Sequence, residues 1–272
     1  MRAYITVLST NSYVRGVLAL FESLKEVNSK YDLYVILSGE INKSNEKKLV
    51  NAGIRIIKNS NNIELPSHII EKNKRGGFSQ WNYTLEKLHI FDLDNFDKLV
   101  YLDSDMMITK NIDELFEHEH MSAVVAGKLM PGNENWKELN SGTMVIIPQK
   151  HLKEKILCKL EVVIQNKSYI GDQDLLQEYY YNWPNEKQLH LNQKYNIFFS
   201  TVEYYTSKLD YNCNFNKPND KTLAIIHFEG KEKPWMQSKG KRFKKLCKLL
   251  IKGKINTFKV YKKYNDILNS IE

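Results

Sequence analysis

The sequence predicts an α/β fold built on a parallel, doubly wound sheet, and three observations carry that prediction. Strand-like and helix-like stretches alternate strictly over the first 57 residues. An apolar run, Lys98–Leu102, ends abruptly in the acidic triplet Asp103-Ser104-Asp105. A second apolar run far downstream, Leu223–Ile226, leads directly into His227. Alternation of this kind is the signature of right-handed crossovers onto a parallel sheet, and the carboxyl ends of such strands are where open α/β sheets bind ligands.

The elements follow in order. Ala3–Leu8 reads as the first strand, and Val14, Val17, Leu18, Leu20, Phe21 and Leu24 give Tyr13–Lys30 helical spacing. Asp32–Leu37 is the second strand, Ser44–Asn51 a short helix stopped by Gly53, and Ile54–Ile57 the third strand. After a polar stretch, Leu85–Phe91 reads as helical and feeds the strand that ends at Asp103; Asn111–Leu115 has the capping pattern of a short helix. Beyond it come strands Ser122–Val125 and Thr143–Ile147, helices His151–Gln165 and Asp172–Tyr181, the strand before His227, and a basic helix Gly240–Ile251. The expected organisation is one α/β domain, residues 1–235, followed by a helical tail, 236–272.

Composition narrows the class. The chain has 272 residues, 42% of them hydrophobic, enough for a large core. Net charge is +8, but residues 236–272 hold 11 Lys/Arg against 2 Asp/Glu, which leaves a body of net charge −1. The basic character therefore belongs to the tail, and no aromatic–basic interleaving in the body suggests nucleic acid. Cys158, Cys213 and Cys247 lie far apart without metal or redox spacing, which fits buried free thiols in a reducing compartment. The first apolar run is too short for a signal peptide, so the expected location is the cytoplasm.

Strand alternation would send Asp103 and Asp105 to one side. Two converging carboxylates are costly unless a cation neutralises them, and a hard octahedral ion, Mg²⁺ or Mn²⁺ holding a phosphate-bearing substrate, is the natural choice. The bland alternative is a solvated acidic loop. His227, leaving a strand, offers a neutral imidazole as third ligand, and Lys233 a counter-charge for a diphosphate; alone, each is equally an ordinary residue of a Lys-rich surface loop. Gly230 would let backbone approach closely. Lys74 and Arg75, before Gly76-Gly77, fit a mobile basic lid or a plain surface loop. Asn140-Ser141-Gly142 offers hydrogen bonds to sugar hydroxyls and room for a ring, or is simply a turn. Asp172 in Gly171-Asp172-Gln173 reads either as a helix N-cap or as a carboxylate beside a reacting sugar, with Gln173 as its amide partner.

Taken together these segments resemble the glycogenin/galactinol-synthase type of family 8 glycosyltransferases. The resemblance runs from Tyr4 to Trp235 through Thr6–Asn11 with Tyr13 and Gly16, Glu86-Lys87-Leu88, Leu99–Asp105, Asn111–Phe116, Asn140–Gly142, Gly171–Gln173 and His227–Trp235. It implies a single Rossmann-like nucleotide-sugar domain with a mixed central sheet (GT-A type), a retaining hexosyl transfer from a UDP-sugar, and Mn²⁺. On the same resemblance Asp103, Asp105 and His227 are the metal ligands, with Ser104 between the acids. Leu8, Thr10, Asn11 and Tyr13 hold uridine, Tyr13 stacking on the base, and Lys87 lies near the donor. Gly230 and Lys233 clamp the diphosphate, while Asn140, Ser141, Asp172 and Gln173 form the sugar and catalytic pocket. Where glycogenin carries an acidic residue before Gly-Asp-Gln, this chain has Tyr169 or Ile170, so sugar specificity stays open between glucose, the first choice, and galactose.

The acceptor is a glycan, a lipid-linked group or a protein hydroxyl. One rival is a self-glucosylating primer, with Tyr195, Tyr204 and Tyr205 as candidate acceptors; another is a non-catalytic sugar-nucleotide or membrane-surface binding protein. A homodimer is compatible with the sequence. On the tail helix Phe243, Leu246, Cys247, Leu249, Leu250 and Ile251 fall on one arc, opposite Lys241, Lys244, Lys245, Lys248 and Lys252. Such a helix either touches an anionic membrane, which suits a lipid-linked acceptor, or packs on the domain with a solvated lysine face.

Overall fold

A computed structural model describes residues 1–59 and 61–271; Glu272, the last residue of the expected tail, lies outside the described residues. The chain opens with β1 (Arg2–Leu8), a 3-10 turn Asn11–Tyr13 and α1 (Val14–Glu26), then β2 (Leu33–Leu37), α2 (Lys43–Asn51), β3 (Arg55–Lys58) and α3 (Ser67–Arg75). A long 3-10 segment, Ser79–Asp92, precedes β4 (Lys98–Leu102), which is followed at once by β5 (Met106–Ile108). Next come β6 (Ala123–Val124), β7 (Asn140–Ile146), α4 (Leu152–Leu157), α5 (Leu160–Asn166) and α6 (Asp172–Tyr179). The chain finishes with β8 (Ile197–Phe198), α7 (Val202–Lys208), β9 (Ile225–His227), α8 (Lys239–Ile251) and α9 (Ile255–Ser270).

Among the described residues the main sheet has the order β3-β2-β1-β4-β7-β6. β3, β2, β1 and β4 are parallel, whereas β7 runs antiparallel to β4 and β6 antiparallel to β7. The sheet is thus mixed, not wholly parallel, because the chain enters β7 without a crossover helix from β6. The strand order reverses between β1 and β4, which opens a crevice at their carboxyl ends. A second sheet, β5-β9-β8, begins three residues beyond β4. Asp103, Ser104 and Asp105 are therefore the turn that joins two sheets, closed by a bond from Met106 N to Asp103 O (3.2 Å).

Several boundaries differ from those expected. The first helix stops at Glu26, since Asn28 takes a positive φ of 53° and Ser29 N bonds back to Leu24 O. The helix expected over His151–Gln165 is two, α4 and α5, broken at Cys158 and Lys159. The polar stretch holds α3, so Lys74 and Arg75 end a helix; they do not form a free loop. Of the three thiols only Cys213 is buried, while Cys158 is exposed.

The C-terminal segment is built into the molecule. Along α9, Thr257, Val260, Tyr261, Tyr264, Ile267 and Leu268 recur at helical spacing and are buried. The apolar ones share a core with Met107, Ile226, Phe228 and Trp235. Burying such a side chain contributes roughly 1.5–3 kcal/mol, so this helix stabilises the fold on the order of 10 kcal/mol before entropy is counted. Arg242 of α8 is buried beside it, donating from Nε to Asn265 Oδ1 (2.7 Å) and from Nη2 to Asn269 Oδ1 (3.1 Å). No described helix is long and apolar enough to cross a membrane.

Candidate active site

A cavity of about 980 Å³ occupies the crevice at the ends of β1 and β4. Its floor is ionic. His227 Nε2, Asp105 Oδ1 and Asp103 Oδ2 face one another, with the imidazole 3.2 Å from Asp105 and 4.0 Å from Asp103. One ligand atom from each of the three residues lies within 4.8 Å of the others, a spacing that a single cation bridges. The acids share a side because of the turn between the sheets, not because of strand alternation. Backbone bonds fix that turn: Asp103 N donates to Gly142 O (2.9 Å), and Phe228 N to Asp105 O (2.9 Å).

Two buried lysines complete the floor. Lys233 Nζ lies 2.6 Å from Asp105 Oδ2 and donates to Phe228 O at 2.7 Å. Lys87 Nζ lies 2.8 Å from Asp172 Oδ2 and 3.2 Å from Asp103 Oδ1, and donates to Ser141 O and Oγ, both at 3.1 Å. Lys87 thus ties the Asp103–Asp105–His227 cluster to Asp172. The Asp172 contact is a buried ion pair. With the His227 ring neutral, three carboxylates facing two ammonium groups leave the floor with about one surplus negative charge, which suits a divalent cation followed by an anionic substrate.

Titration follows from these contacts. Burial disfavours a charged His227, but Asp105 and Asp103 outweigh it and raise its pKa. Burial likewise opposes a charged Lys87, yet Asp103 and Asp172 raise its pKa. For Asp105 burial works upward, and His227 and Lys233 more than reverse it, holding the carboxyl below the usual range.

The expected residues fall into two groups. Thr10, Tyr13, Lys87, Asp103, Ser104, Asp105, Asn140, Ser141, Asp172, Gln173, His227, Gly230 and Lys233 all line the cavity. Leu8 and Asn11 do not. Alternation along β1 turns Val7 and Ser9 to the cavity and buries the Leu8 side chain among Val14, Val35 and Leu49. Asn11 instead pins the segment after β2, donating to Glu40 O and accepting from Asn42 N and Asn45 Nδ2. The Tyr13 ring stands edge-on to Trp235, centroids 5.3 Å apart.

Three local readings change. The N-cap of α6 is Gly171, whose N–H donates to Asp174 Oδ2 (3.0 Å), so Asp172 is released from capping and faces the cavity. Gly142 makes room for a carboxylate rather than a sugar ring: a Cβ there would lie 3.0 Å from Asp103 Oδ2 and 2.8 Å from Met106 Cε. Gly230 has open space around it and is required for its φ of +86°. Among the candidate acceptor tyrosines, Tyr195 and Tyr205 are buried with hydroxyls donating to Glu114 and Gln193 at 2.9 Å.

Two contributors escaped the sequence. Tyr101 donates to Asp103 Oδ1 at 2.7 Å; its place two residues before Asp103 was the available signal. Asn196, fully buried, takes His227 Nδ1–H on its Oδ1 (3.1 Å) and donates from Nδ2 to Asn140 Oδ1 (2.7 Å). When the ring is neutral, a hydrogen held on Nδ1 leaves the lone pair on Nε2, toward the acids. No motif marks Asn196. Trp81, Lys74 and Lys231 also line the cavity, and behind Trp81 the Phe78 ring stacks on it with centroids 4.4 Å apart and meets Tyr169 at 5.0 Å.

A family model described as glycosyl transferase family 8 matches residues 4–239. The chain belongs to glycosyl transferase family 8. Among its relatives, a putative UDP-glucuronate:xylan alpha-glucuronosyltransferase 5 of Arabidopsis thaliana is 30% identical over 86% of this chain and 36% of its own length. Glycogenin-1 of Mus musculus is 30% identical over 86% of this chain and 65% of its own. The chain thus spans between about a third and two thirds of these family 8 proteins. The galactosyltransferase LgtC, solved with donor and acceptor sugar analogs, superposes with a TM-score of 0.60 at 16% identity, covering 99% of this chain and 96% of that one. The family 8 chain therefore has the GT-A-like fold with a mixed central sheet.

Proposed function

We propose that this family 8 chain is a retaining glycosyltransferase that moves a hexosyl unit from a UDP-sugar to an acceptor hydroxyl. The observation that carries the reading is the continuity of one cavity. A cation-ready trio lies at one end and the Asp172 carboxylate at the other, and Lys87 is ion-paired with both ends. Asp103, Asp105 and His227 would hold Mn²⁺, or Mg²⁺ in its place. Bound there, the ion supplies Lewis-acid charge to the donor diphosphate.

The protein's own groups do the rest. Lys233 sets a fixed ammonium beside the metal end, where charge grows as UDP departs. Ser141 and Gln173 are held together, Ser141 N donating to Gln173 Oε1 (3.3 Å), which leaves the Gln173 amide hydrogens for the sugar. Ion pairing with Lys87 weakens Asp172 as a nucleophile, which favours attack from the face that the leaving group vacates. The acceptor oxygen then bonds the anomeric carbon as the bond to the phosphate oxygen breaks. The bonding pair leaves on the phosphate, and the acceptor proton passes to that same phosphate. Asp172 stabilises the cationic sugar between these events. A covalent sugar trapped on Asp172 would overturn this route.

Glucose is the first donor to try and galactose the second, and the name of the Arabidopsis relative adds glucuronate. A panel of the three UDP-sugars with Mn²⁺, reading UDP release and then product, tests the function. No metal-dependent release from any of them would leave a non-catalytic binding protein. A ladder of hexoses on the intact chain would show the self-glucosylating alternative, for which Tyr204 is the accessible member of the three tyrosines.

A further inference from the structure

The helix expected to carry one apolar arc has in fact two different faces. Arg242, Lys245, Leu246 and Leu249, at i, i+3, i+4 and i+7, turn inward. Lys245 lies over the rings of Tyr261 (4.6 Å) and Phe199 (4.9 Å), and Leu246 and Leu249 pack on the core shared with α9. Phe243, Leu250 and Ile251 are left outside, 66%, 46% and 86% exposed, with Ile255 of α9 close behind at 45%. Lys241, Lys244, Lys248, Lys252 and Lys254 are exposed along the same stretch, and no Asp or Glu occurs from Lys239 to Lys254.

A helix packed on its domain only for stability has no use for this arrangement, since its inward face already satisfies the core. We propose that the outer face of α8 is a docking surface for an anionic lipid bilayer, with Phe243, Leu250 and Ile251 entering the headgroup–acyl boundary and the flanking lysines meeting lipid phosphates. Charge and apolarity together select this occupant. A polyanion such as nucleic acid would use the lysines and leave three large apolar side chains in water. A second copy apposing the same face would bring lysine against lysine. Met236, half-exposed and lining the cavity, lies three residues before α8 in the chain.

The experiment keeps the whole chain, because α9 is part of the core and truncation at Met236 would unfold it. Flotation with vesicles of phosphatidylcholine alone, or mixed with phosphatidylglycerol, needs no donor sugar and stands apart from the activity. Anionic vesicles should bind the chain at least about tenfold better than neutral ones. The double variant Phe243→Ser/Ile251→Ser should lose several-fold of that binding, as should Lys244→Glu/Lys248→Glu. Both pairs lie on the surface, so unchanged melting temperatures certify the fold. Equal binding to both vesicle types overturns the proposal. So does full retention by the serine variant, which would reduce the contact to polycation adsorption. A concentration-dependent dimer abolished by the serine pair would assign the face to a second copy instead.

Discussion

The floor of the cavity and its rim are built on opposite terms. On the floor, Asp103, Asp105, Asp172, Lys87, Lys233 and His227 hold each other through contacts of 2.6–4.0 Å, mostly buried. At the rim, Phe78, Trp81, Tyr169, Lys74 and Lys231 are half or fully exposed, and among the described residues their aromatic contacts run only from Phe78 to Trp81 and Tyr169. Preorganised charge is what a reaction common to a family requires, whereas an exposed aromatic shelf is what distinguishes one acceptor from another. Substitutions on the floor should therefore remove chemistry, and those at the rim should change preference.

The largest effect is expected from Asp105→Asn. It deletes a metal-ligand charge and strands the buried Lys233, and turnover with Mn²⁺ should fall by at least about 10³. Undiminished activity in a folded variant would remove the metal assignment. Asn196→Ala comes next. Without its orienting partner His227 should lose roughly 10–100-fold in metal affinity, measured by titration without substrate, while Asn196→Asp should recover most of it. A merely structural role for Asn196 would lower stability in both and leave that difference absent.

The acidity of the floor supplies a third test. The raised pKa of His227 means that the metal-free fold keeps this proton to higher pH than the unfolded chain does. That gain in stability is fully present below the unfolded value, about 6.5, and is lost as pH rises through the folded one. A metal needs the neutral ring, so affinity should climb with pH by up to about tenfold per unit until the folded pKa is passed. A flat affinity profile would mean that His227 is not a ligand. The smallest effect belongs to the rim: Trp81→Ala should raise acceptor KM by about threefold to tenfold and leave UDP release to water nearly unchanged. Equal loss of both would merge rim and floor into one unit.

What the sequence made legible follows the same division. Asp103, Asp105 and His227 stood out because apolar strands delivered them, and the strands β1, β2, β3 and β4 were visible from their largely apolar runs. Leu8 and Asn11 fall outside the cavity lining because a linear motif shows neither which neighbour on an alternating strand turns inward, as at Leu8, nor which polar side chain is taken up by a neighbouring segment, as at Asn11. Asn196 was invisible, since a buried amide acquires meaning only from partners 31 and 56 residues away. The pattern of α9 was present in Val260, Tyr261, Tyr264, Ile267 and Leu268, but a lysine-rich composition masked it.

One contact sets a tempo as well as a geometry. Lys233 reaches Asp105 across 128 residues of chain, and the strand that carries His227 is backed by α9, later still. Closing so long a loop is entropically slow. The sheet of β1 to β4 can gather early from neighbouring segments, with Lys87 already at hand for Asp103, yet Asp105 lacks His227 and Lys233 until the C-terminal part of the chain has docked. Competence to bind metal should accordingly be among the last properties to return when the unfolded chain is refolded.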